Sequence, residues 1–222
     1  MLRNSVLNIK AMAKQKEGVY EKIIDCAKTE FLEKGFKDAS LRMIAKNAQT
    51  STSSIYTRFH DKEGLFDAIV NPVIEAFQAY FRGTQQAFHE IDPSQQDAMK
   101  YDYAGDCMNE MIDYIYNHLD EFKLLLKCSY GTGASDFIEG LVETEVDYTL
   151  KFIEITGNDA IAKGRANRPF LHIITKAYFT GFFEIVLHDM NKADAKRYVQ
   201  QLRDFYSAGH ETIYHPEKIE LK

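Results

Sequence analysis

Turn-forming residues are scarce in this 222-residue chain, with twelve glycines and only four prolines. The dipeptides that close tight β-hairpins, Asn-Gly and Asp-Gly, do not occur. These shortages argue against a hairpin-rich β protein and point to an all-α chain. Cysteine is equally sparse. Cys26, Cys107 and Cys128 are odd in number and widely spaced, which fits neither a disulfide framework nor a cysteine metal cluster and suits reduced thiols in a cytoplasmic protein. No uninterrupted apolar run has the length of a bilayer, and residues 1 to 18 lack the apolar stretch of a signal peptide, so no membrane partner is expected.

Catalytic signatures are missing too. His210 and His215 stand five residues apart and cannot share a helix face as zinc ligands four apart do. The Gly131-Thr132-Gly133 stretch lacks the lysine and the preceding strand of a phosphate loop, and no Gly-x-Ser-x-Gly elbow occurs. The chain is expected to be no enzyme and to hold no metal or cofactor.

What is present is an uneven charge and a strong helical period. The net charge is −6. Residues 1 to 70 hold 12 Lys/Arg against 9 Asp/Glu, a net of +3, and the remainder holds 15 against 24, a net of −9. A basic head on an acidic body suits a polyanion-binding module joined to a differently employed domain. Residues 1 to 18 read as a flexible basic arm. The first convincing helix spans about Val19 to Lys34 and stops at Gly35; Ser40 caps a short helix carrying Leu41, Ile44 and Ala45; Asp61 caps another that Pro72 restarts or kinks. Longer helices follow at about 95–118, 120–130, 135–156, 168–189 and 194–213.

Five consecutive hydroxyl residues, Thr50 to Ser54, sit between two of the short helices. A helix-turn-helix gives them a purpose. Its second helix enters the major groove by its N-terminal end, where small hydroxyls allow close approach to bases and phosphates. Ser51 would cap that helix, Thr52 and Ser53 would face DNA, and Ile55 and Phe59 would fasten the far side.

Ala27, Phe31, the Gly35-Phe36 break, Ser40-Leu41-Arg42, Ile44-Ala45, Ser51, Ile55-Tyr56, Phe59 and the block Lys62-Glu63-Gly64-Leu65-Phe66 resemble the DNA-binding domain of the tetracycline-repressor (TetR) family. That resemblance implies a helix-turn-helix domain over 19–66 and a helical ligand-binding and dimerisation domain over 67–222. It also implies a homodimeric repressor on a palindromic operator of double-stranded DNA, released by a small-molecule inducer. Carried over by position, the DNA-contacting set is Ser40, Arg42, Ser51, Thr52, Ser53, Tyr56, His60 and Lys62. Three positions depart from the family pattern: Ala48-Gln49 where the turn commonly carries Gly, Thr52-Ser53 for a common Lys-Gly pair, and Met43 where an acidic residue often follows the Arg.

In the larger domain, Tyr101, Met108, Met111, His172, Tyr178 and Phe182 are candidate ligand-binding residues, because such sites are mostly apolar with a few polar groups. Helices 168–189 and 194–213 are expected to build the homodimer, with Ala177 and Gly181 leaving room for a second helix. Phe182 and Leu202 are expected to lie on that shared face. A regulator without an inducer, controlled by a protein partner or by its abundance, is the alternative.

Overall fold

The computed structural model describes residues 2–131 and 133–218, with the side chains of residues 18–131 and 133–217. Among these residues there is no strand. The helices are α1 (Leu2–Asp38), α2 (Leu41–Asn47), α3 (Thr52–Phe59), α4 (Lys62–His89), α5 (Pro93–Asn117), α6 (Leu119–Cys128), α7 (Gly133–Ile155), α8 (Arg168–Leu187) and α9 (Lys192–Tyr214). The chain divides into two compact units. The first runs to Val73 and takes in Asp120–Gly131; the second comprises Ile74–Leu119 and the chain after Gly131.

In the first unit, α1 begins at Leu2, well ahead of the start expected near Val19. Residues 2 to 17 hold no Gly or Pro to interrupt a helix, and the basic arm expected there is helical in its backbone. Their side chains lie outside the described residues. Gly35 breaks α1 in a left-handed conformation (φ 72°), where a residue with a Cβ would be strained. Ser40 then caps α2, its hydroxyl accepting from the Met43 amide at 3.4 Å, while the Ser40 amide donates to Glu30 Oε1 at 3.0 Å. Pro72 lies inside α4 without ending it, so of the restart or kink expected there no restart occurs; a proline removes one backbone donor, and the rest of this long apolar helix holds together.

Ile23, Ala27 and Phe31 of α1, Ile44 and Ala45 of α2, Ile55 and Phe59 of α3, and Leu65 and Phe66 of α4 form the enclosed core. Residues 120–131 join this unit although they were expected to belong to the larger domain. Lys28 pairs with Glu121. The Tyr130 ring lies 4.4 Å from that of Phe36, and its hydroxyl donates to Asp67 Oδ1 at 2.9 Å. Burial, reinforced by that carboxylate, pushes the Tyr130 hydroxyl up to about 12. The sequence around 120–131 holds only the period of a generic amphipathic helix, so its destination was not legible.

In the second unit three of the long helices start on a side-chain cap: Asp92 accepts from the Ser94 amide for α5, Asn167 from Phe170 for α8, and Asn191 from Asp194 for α9. Arg168, His172 and Lys176 on α8 face Glu139, Glu143 and Asp147 on α7. Arg168 reaches Glu143 at 2.5 Å and Asp147 at 2.7 Å, and Lys176 reaches Glu139 at 2.9 Å. With 20 residues and a mean hydropathy of 1.4, α8 is by length and composition apolar enough to cross a membrane, although Lys176 and Glu184 interrupt it. Its Phe179, Phe182, Phe183, Ile185 and Val186 are instead enclosed by the unit's own helices.

Candidate nucleic-acid interface and internal cavity

The short helices of the first unit present one polar face. Ser51 caps α3, its hydroxyl accepting from the Ser54 amide at 3.1 Å, which satisfies one of the orphan donors at that end. Ile55 is fully buried and Phe59 is 5 % exposed, so the helix is anchored from behind. The opposite side exposes Ser51, Ser53, Tyr56, Thr57 and His60, with Thr52 half-buried. On α2, Arg42, Met43 and Lys46 are exposed. Thr57 and Lys46 were not singled out in the sequence, although their helical spacing from Ser53 and Arg42 could have found them. Ser40 is committed to its cap.

Lys62 is differently engaged than expected. Its ammonium donates to the Lys37 carbonyl at 2.9 Å and the Ala39 carbonyl at 3.2 Å, and stands 4.8 Å from the centre of the Phe36 ring. Two of its three protons therefore close the end of α1, which leaves one for a phosphate.

The connections on either side of α3 carry strain. Gln49, in the turn after α2, sits at φ 54°, the left-handed region that a glycine would occupy at lower cost. His60 has φ 68° and ψ −50°. The Asp61 amide donates across it to the Phe59 carbonyl at 2.8 Å, a γ-turn of the rare, strained hand. The next turn of chain presses against the same carbonyl: a Cβ on Gly64 would lie 2.0 Å from Phe59 O. Glycine is required there by close approach, while Asp61 caps α4 by accepting from the Gly64 amide at 2.7 Å.

The second unit encloses a cavity of about 180 Å3 bounded by α4, α5, α7, α8 and α9. Tyr101, Met108, Met111 and Tyr178 line it; His172 and Phe182 do not. His172 belongs to the ion-pair stripe, with Nδ1 3.0 Å from Glu143 and Nε2 3.4 Å from Glu139. Those three side chains are close enough to share a cation, yet Arg168 and Lys176 already balance the carboxylates. Phe182 is fully buried in the packed core. An apolar helical period identifies an inward face without separating core from cavity wall, so neither residue could be excluded from the sequence.

The polar groups of the cavity were not legible beforehand. Glu145 of α7 lines it, half-buried, and burial lifts its carboxyl to about 7. Lys100 is paired with Asp97 at 2.6 Å and Glu211 at 3.0 Å, and Tyr101 donates to Glu211 at 2.8 Å. Burial, with the Lys100 charge nearby, holds His210 below the usual histidine range. Burial likewise pushes Tyr178 and Tyr214 far above the usual phenol value, so both remain neutral.

Residues 23–69 match the family model of bacterial regulatory proteins of the tetR family. The chain is 34 % identical over 71 residues to the HTH-type transcriptional regulator UidR of Escherichia coli K12; the match takes in 32 % of this chain and 36 % of that relative's length. Among solved structures, NalD, the secondary repressor of the MexAB-OprM multidrug efflux pump in Pseudomonas aeruginosa, superposes with a TM-score of 0.54 at 16 % identity, covering 85 % of this chain and 95 % of NalD. The TetR-family transcriptional regulator PfmR of Thermus thermophilus gives 0.53 at 16 % identity, covering 87 % and 97 %. At such identities the structures share the fold.

Proposed function

We propose that this chain, which belongs to the tetR family of bacterial regulatory proteins, is a transcriptional repressor that binds a palindromic operator as a homodimer and is released by a small ligand held in its cavity. The observation that carries this reading is the face of α3: exposed hydroxyls and Tyr56 in front, a buried Ile55 and Phe59 behind, and Ser51 fixing the helix start that meets DNA.

Dimerisation rests on an apolar stripe left uncovered on the second unit. On α8, Phe170, Ile173, Ala177 and Leu187 are exposed, and on α9 Phe205 is 75 % exposed. Two such helices from each protomer make a four-helix interface. Phe182 does not belong to it, and the space beside Gly181 is already taken by its own chain. Phe182 is core, and the Cβ position of Gly181 is met by Leu202 of the same chain at 3.5 Å. The repeat of DNA then sets the separation of the two α3 helices at roughly 34–36 Å.

The test combines sedimentation with footprinting on the DNA flanking the protein's own gene. The wild type is expected to be a dimer at micromolar concentration and to protect a palindrome. The double variant Ile173→Glu, Phe205→Glu should be monomeric and lose at least about a hundredfold in operator affinity, because two linked heads bind far more tightly than one. A wild-type monomer that protects the palindrome fully would refute the dimer.

A further inference from the structure

We infer that the cavity takes a small arylalkyl amine, its cationic nitrogen seated against Glu145 and its ring between the tyrosine and phenylalanine walls. The inference rests on the reading of this cavity as a ligand site and names what fills it. Glu145 accepts one hydrogen bond, from Gln85 Nε2 at 2.6 Å. No Lys, Arg or His forms an ion pair with it among the described residues, and it lines the cavity.

Of the other charged groups around the cavity, Lys100 and His89 are engaged elsewhere, and Arg203 is not fully paired. Lys100 is held by Asp97 and Glu211. The ring nitrogens of His89 lie 2.9 and 3.1 Å from the carbonyl oxygens of Gln85 and Tyr148. A carboxyl enclosed without a cation is costly to ionise, and its raised pKa records that cost. A ligand ammonium supplies the missing charge, and Tyr178, which also lines the cavity, offers an aromatic ring of the kind that attracts a cation. Size sets the rest. A dry cavity of about 150 Å3 holds a benzene ring, so about 180 Å3 has room for one ring and a short arm.

Arg203 pulls the other way. Its Nε is buried without an acceptor, and its Nη1 lies over Gly105, which would favour an anion instead. Calorimetry on the full-length protein with 2-phenylethylamine, 2-phenylethanol and 3-phenylpropanoate separates the two. The amine should bind at least tenfold more tightly than the alcohol. Glu145→Gln, checked for cooperative melting, should bring the amine down to the alcohol's affinity, while Glu145→Asp should keep most of the preference.

An alcohol equal to the amine, a tighter phenylpropanoate, or no amine binding at millimolar concentration would each overturn the proposal. Operator affinity measured with the same compounds keeps the two readings apart. An amine that binds through Glu145 yet leaves the operator bound upholds the ligand class and defeats release by ligand. Release by the alcohol or phenylpropanoate alone does the reverse.

Discussion

Behind α3 the apolar side chains close on one another: Ile44, Ile55 and Leu65 are fully buried, and the Phe31 and Phe66 rings meet edge-on at 5.3 Å. Among α5, α7, α8 and α9, equally apolar helices leave a space and set an unpaired carboxyl beside it. In the first unit the non-glycine residues at positive φ, Gln49 and His60, bracket α3 and fix the approach to it and the exit from it; the second unit has one described, Asp189. The second concentrates its cost in a half-buried ionisable side chain. Strain in the backbone holds a shape, whereas an unmet charge favours a ligand that meets it.

The largest expected effect tests the second half of that contrast. Folded Glu145 titrates at about 7 against an ordinary 4.5. The folded state thus holds a proton that the unfolded state releases between those values, so stability falls as pH rises from about 4.5 to about 7. At most about 3 kcal/mol is at stake, and water in the cavity lowers that figure. Glu145→Gln should therefore melt with the wild type near pH 4 and well above it at pH 8. Melting curves that stay together at pH 8 would mean that the carboxyl is not penalised and would erase the distinction between the units.

Next comes the tight packing of the first unit. Gly64→Ala forces a Cβ against the Phe59 carbonyl, with an expected destabilisation of about 2 kcal/mol or more and weaker operator binding, since Phe59 ends α3. An unchanged melting temperature would show that this junction yields freely.

Direct readout of DNA follows. Ser53→Ala should leave melting unchanged and weaken operator binding by roughly 1–3 kcal/mol if one base contact is lost. Equal weakening on unrelated duplexes would reassign Ser53 to the backbone.

The smallest effect is at the turn. Gln49→Gly relieves a left-handed φ and should stabilise by up to about 1 kcal/mol in chemical denaturation, part of it offset by the added freedom of the unfolded chain. A loss of stability there would place the cost of the turn in something other than its φ.

The amino-acid sequence by itself determined the parts whose causes are local. Ser40, Ser51 and Asp61 cap helices through amides three residues on, and Gly35 ends its helix by its own φ. The period of Ile55 and Phe59 told which side of α3 faces inward, and hence which hydroxyls face out. Tertiary structure decided whatever depends on partners distant in the chain. Lys62 became a clamp on carbonyls 23 and 25 residues back, and residues 120–131 joined the first unit through Lys28, 93 residues away. Glu145 met Gln85 across 60 residues. A single acidic residue on a helix reads as solvent-facing until the opposing helices are in place. Whether an apolar wall is core or cavity depends on how closely those helices approach, which no residue encodes alone.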